Sequence, residues 1–159
     1  MNRSLSVLVR GRAAARCAAV VLVALAATPS GAAELKPYRI VGDTIPEPLG
    51  WRPGDPEKGR FIALDVDLGN CLACHSIPIP EEPFHGTIGP DLRGIGTRLT
   101  PGQLRLRIVD PKRLKPDTPM PSYYRVEGLY RVRADRVDKP ILDGQEIEDL
   151  IAFLMTMTR

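Results

Sequence analysis

Chemically versatile side chains are scarce: 159 residues hold three cysteines, two histidines and one tryptophan. A closed zinc site needs four ligands, and outside the cluster Cys71, Cys74 and His75 the chain offers only His85 and, in its N-terminal segment, Cys17. No run alternates apolar and polar residues well enough to form a sheet, and there are no internal repeats or low-complexity segments. No Lys/Arg patch with interleaved aromatics is present, which excludes a nucleic-acid role. Long hydrophobic runs are missing too. The one apolar stretch, residues 17–27, is short of the roughly 20 residues that span a bilayer.

That stretch sits in an N-terminal segment of distinct character. Residues 1–33 carry Arg3, Arg10, Arg12 and Arg16 and no acid, then the apolar run, then "TPSGAA". Basic start, short hydrophobic stretch and small residues are the order of a secretory signal, with the cut expected after Ala33. An uncleaved anchor is the alternative that its length disfavours. Cys17 follows Arg16 rather than a small residue, so it is not read as a lipidation site. Removing the segment leaves 18 basic against 19 acidic side chains, a net charge of −1 where the whole chain has +3. The basic balance belongs to the signal.

The expected organisation is a signal peptide over 1–33, an extended proline-rich arm over 34–54 and a helical domain over 55–159. The arm shows neither helical nor strand period and is expected to lie over the domain rather than enter its core. Its Trp51 is either an anchor onto the body or part of a partner surface. Asp55 before Pro56 opens a first helix. Thr100 and Gln103 have capping-box spacing around Pro101, and Pro111 closes the helix they start. Asp143 and Glu146 frame the start of the last helix, where Ile147, Leu150, Ile151, Leu154 and Met157 lay one apolar stripe along a face. The fold class is all-α. A few short helices joined by long proline-punctuated loops bury little area against the entropy of ordering them, so something other than side chains must supply core.

"NCLACHS" supplies it. Two cysteines separated by two residues, with a histidine directly after the second, form the attachment signature of a c-type haem. One turn of backbone presents Cys71 and Cys74 to the two vinyl groups, and His75 becomes the proximal ligand. A redox-active CxxC disulfide competes for the motif but expects a βαβ context that is absent. For the sixth position of the iron there are two candidates. Met120, in "PDTPMPSYY", is a soft thioether donor held between Pro119 and Pro121, where no helix is possible; His85 would instead give a low-potential bis-histidine centre. Met155 and Met157 lie in the terminal helix and are more simply core. In "IGPDLRGIG" the Gly-Pro turn is placed to offer the Pro90 carbonyl to the other ring nitrogen of His75, with Leu92 packing on the haem face. A plain surface turn is the alternative there.

With "CLACH", "GPDL", a late loop methionine and a closing "EIEDLIAFLMT" helix, the chain resembles the class I cytochrome c family. That resemblance implies short helices around one covalently bound haem c, with crossing first and last helices and Phe153 near the contact. "GRFIALDVDLGNC" is longer than in short members, so the partner of Phe153 on the first helix stays unassigned. The blocks "FHGTIGPDLRGIG", "PDTPMPSYYRVEGLYRV" and "KPILDGQEIEDLIAFL" narrow the resemblance to the SoxX family, the small monohaem subunits of SoxAX complexes in bacterial thiosulfate oxidation. Such kinship implies a periplasmic, non-catalytic electron-transfer subunit of an L-cysteine S-thiosulfotransferase. Its expected partners are a SoxA-like dihaem or monohaem catalytic subunit in a heterodimer, the SoxYZ carrier transiently, and a small soluble cytochrome as electron acceptor. The chain has no nucleophile of its own, because both mature cysteines are consumed by haem. The alternative is a free-standing periplasmic shuttle unrelated to sulfur chemistry, which would have little use for the arm.

Overall fold

The computed structural model describes residues 35–159, so the expected signal over 1–33, with Cys17 and the cut after Ala33, lies outside the described residues. Four α-helices carry the domain: α1 over Pro56–Leu64, α2 over Ile95–Arg98, α3 over Pro101–Val109 and α4 over Gly144–Met155. Single 3-10 turns occupy Cys71–Ala73, Pro111–Arg113 and Ala134–Arg136. Among the described residues there is no named strand, only an isolated bridge between Val41 and Thr44, and no helix is long and apolar enough to cross a membrane.

The helix starts follow from local chemistry. Asp55 accepts from the N–H groups of Glu57 and Lys58 and so satisfies donors that the first turn leaves free. Thr100 with Gln103 and Asp143 with Glu146 both close full capping boxes. α3 ends at Val109, two residues before Pro111, which opens the next 3-10 turn. α2 has no capping side chain; it begins at Gly94, whose φ of 66° suits glycine.

α4 is the central element. Its expected stripe, Ile147, Leu150, Ile151, Leu154 and Met157, is buried throughout, although Met157 lies just beyond the helix end. α1 packs across α4, and the approach is close because Gly59 has no side chain. A Cβ there would collide with the Asp149 carbonyl and press on Cβ of Phe153. Gly59 is thus the partner of Phe153 that sequence reasoning left unassigned.

The rest of α4 is buried by the arm, which corrects the expectation that residues 34–54 lie outside the core. Ile45 is fully buried and Leu49 nearly so, both within the main apolar cluster. Having no secondary structure, the arm needs partners for its backbone, and α4 supplies them from Gln145, Glu148 and Asp149. Glu148 accepts from the Leu49 N–H (2.9 Å), Gln145 from the N–H groups of Trp51 (3.1 Å) and Arg52 (3.2 Å), and Asp149 from that of Asp55 (2.8 Å). Arg105 of α3 completes the clamp, donating twice to Glu148 at 2.7 Å and once to the Ile45 carbonyl at 2.6 Å. Of the two alternatives for Trp51, anchoring fails: its side chain is 77% exposed.

Candidate functional site

α3, the N-terminal part of α2, the C-terminal half of α4 and three loops enclose a cavity of about 450 Å³. Its lining includes Cys71, Cys74, His75, Pro90, Leu92 and Met120, so all six candidate site residues meet in one place. Leu99, Leu104, Ile108, Leu150 and Leu154 make the remainder of its wall largely aliphatic. Such a lining suits a largely apolar group, with nitrogen and sulfur donors among the residues around it.

The attachment motif is shaped by a short 3-10 turn. Asn70 takes a left-handed conformation, φ 46°, and the N–H of His75 reaches back to the Cys71 carbonyl at 2.8 Å. The two thiols are free of any disulfide. Burial, with a further contribution from neighbouring Cys74, pushes the Cys71 thiol up to about 12. Among the described residues no group of three or more His, Cys, Asp or Glu side chains gathers to hold a metal ion.

His75 is held from one side only. Its Nδ1 lies 2.7 Å from the Pro90 carbonyl oxygen, which accepts the ring N–H, so Nε2 keeps its lone pair for a metal. The loop that brings Pro90 there is strapped to the motif by three backbone hydrogen bonds: Gly86 N–H to Leu72, Gly89 N–H to Cys74 and Leu92 N–H to Ser76. Gly89 lies directly against the imidazole, and a Cβ at this position would collide with three ring atoms. His75 and the Gly-Pro turn therefore fit each other at atomic contact.

Met120, half-buried, lines the same cavity together with Pro119 and Pro121. Tyr123 ties this loop to the attachment loop. Its hydroxyl donates to the Gly69 carbonyl at 2.6 Å, and its N–H binds Ile108 of α3; burial raises the phenol's pKa. His85, the rival of Met120, does not line the cavity. Its Nδ1 accepts from the Ile77 N–H at 3.2 Å and its Nε2 faces the Glu82 carbonyl, so both ring nitrogens serve the loop. Sequence reasoning missed Gly89, Tyr123 and Gly59. For the two glycines the available signal was a glycine beside the Gly-Pro turn and a glycine inside a helical pattern.

The comparisons agree with this geometry. The cytochrome c family model matches residues 57–158. No curated protein matches in sequence. Among solved structures, a chain of SoxXA from P. pantotrophus superposes with a TM-score of 0.71 at 38% sequence identity, covering 77% of this chain and 95% of that one. The apolar cavity, the paired thiols and the imidazole with a free Nε2 fit a single haem c, whose iron supplies one-electron chemistry when bound. The chain belongs to the cytochrome c family, as a class I, SoxX-type member with one covalently bound haem c.

Proposed function

We propose that the chain is the electron-accepting subunit of a SoxA-containing enzyme in the periplasm, exported by the segment over residues 1–33 and cleaved after Ala33. Cys71 and Cys74 would hold haem c as thioethers, and His75 through Nε2 and Met120 through its sulfur would be the residues that hold its iron. Pro90 fixes the imidazole plane and Leu92 packs against the ring. The catalytic subunit joins thiosulfate to a cysteine of a SoxYZ-type carrier, a step that releases two electrons. This chain takes them one at a time and passes each to a small soluble cytochrome. It acts without a nucleophile, because both thiols are bonded to haem carbon. His/Met ligation gives a raised potential suited to accepting electrons.

The observation that carries the site is one cavity lined by both the CxxCH residues and Met120; the sulfur-oxidation role is supported by the likeness to a chain of SoxXA. The arm no longer argues for a partner by its presence alone, since it belongs to the core. Exposed Trp51 on that arm is compatible with a docking surface. Co-expression with a SoxA-like subunit and the haem-maturation machinery tests the proposal. A co-purifying heterodimer, an intact mass of residues 34–159 plus one haem, and reduction of this chain's haem by thiosulfate in the presence of carrier are expected. A stable monomer that does not respond to thiosulfate in that mixture would leave the free-standing shuttle.

A further inference from the structure

The Met120 loop cannot hold itself. Pro119 and Pro121 have no N–H, the Thr118 N–H is spent on the Lys115 carbonyl, and the Met120 N–H on Oγ1 of Thr118. Within residues 118–121 no backbone N–H is therefore left for the carbonyls of Thr118 and Met120, which take their donors from side chains outside the loop or from water. Lys112 supplies both: its Nζ lies 2.9 Å from the Thr118 oxygen and 3.3 Å from the Met120 oxygen. An ammonium has three donors and no acceptor, so two carbonyls flanking one proline suit it.

The root of Lys112 is as informative as its tip. It stands in the 3-10 turn Pro111–Arg113 directly after α3, and α3 lines the cavity through Leu104 and Ile108. Pro111 is buried at the cavity wall. The neighbouring ties, Ser122 Oγ to Asp110 and the Tyr123 N–H to Ile108, fix only the far end of the loop. Among the described residues, Lys112 is the side chain from outside the loop that reaches the methionine's own backbone.

We propose that Lys112 is a positioning residue that clamps the Met120 loop against the α3 wall and opposes loss of the thioether from the iron. This rests on reading Met120 as the axial ligand. A charge-assisted hydrogen bond is stronger than a neutral one, although exposure of the lysine reduces its worth. Imidazole is the probe, because it binds ferric iron only when the methionine leaves. In the holoprotein, Lys112→Gln should bind imidazole about fivefold more tightly than the natural chain, as expected for roughly 1 kcal/mol of lost clamp, and Lys112→Arg should restore most of the difference. Arg113→Gln removes an equal charge from the adjacent residue, whose side chain makes no hydrogen bond among the described residues; it should leave imidazole affinity unchanged. Equal affinity in Lys112→Gln and the natural chain overturns the clamp, as does an equal gain in Arg113→Gln, which would mark a charge effect. Met120→Ala separates this from the parent reading: if it leaves the methionine–iron charge-transfer band and imidazole affinity unaltered, the ligand assignment falls and the clamp falls with it.

Discussion

At the scale of single residues, the His75 side of the site depends on the absence of a methylene. The imidazole stands in the space that a side chain at residue 89 would fill, and the carbonyl that orients it belongs to the next residue, Pro90. Gly89→Ala must push the ring or the loop away, a change of the overpacking kind that costs about 1–3 kcal/mol. The expected outcome is a haem still covalently attached but a lower denaturation midpoint and readier binding of imidazole, read by denaturant titration and the Soret band. If Met120 supplies the sulfur as proposed, Met120→Ala should leave both thioethers intact, lower the reduction potential in a redox titration and remove the charge-transfer band. That both turns line the cavity was legible because their chemistry is local: CxxCH and the Gly-Pro turn act over a few residues, and prolines on either side of Met120 announce a fixed loop. The Lys112 contact was not, since nothing in a lysine's sequence neighbourhood tells which carbonyl its flexible stem will find.

Among the elements, α4 is required to pack in two chemically different ways at once. Its aliphatic stripe was legible from period alone, as were the caps of α1, α3 and α4, because a helix's first turn is satisfied by residues within three positions. Its polar side was not. Nothing in the sequence marks Gln145, Glu148 and Asp149 as covered by the arm, and only the tertiary fold shows that Glu148 is buried against Arg105. Removing one charge of such a pair leaves the other without compensation, which costs about 3–5 kcal/mol. Glu148→Gln should therefore destabilise by that order, and a calorimetric melting temperature close to that of the natural chain would show that the arm clamp contributes little. At the other contact of α4, Gly59→Ala places a methyl group into the Asp149 carbonyl. Since α1 cannot approach without separating from α4, a loss of about 2 kcal/mol or more is expected in the same melting experiment, even though alanine is the better helix former.

For the molecule as a whole, the decisive quantity is the size of the space its helices surround. Unfilled volume costs about 24 cal/mol per Å³, so a wall enclosing about 450 Å³ would forgo roughly 10 kcal/mol if dry and empty, and somewhat less where the mouth admits water. Native stability is itself about 5–15 kcal/mol. On that scale, filling the space is worth about as much as the whole margin of stability, the two terms being equal to within a few kcal/mol. Shortage of core was visible in the sequence as too few apolar residues on too few short helices, whereas the location of the cavity was not, because α3, α4 and three loops reach it from positions up to about 80 residues apart. Covalent attachment keeps the filling group in place through every opening of the fold, which a merely bound group would not survive. Replacing Cys71 and Cys74 together by Ser, with the maturation machinery present, is thus expected to yield a colourless chain without a cooperative thermal transition and with rapid backbone amide exchange along α3 and α4. A haem-free variant that melts cooperatively near the natural temperature would mean that side chains close the cavity by themselves, and that haem is cargo for this fold rather than its core.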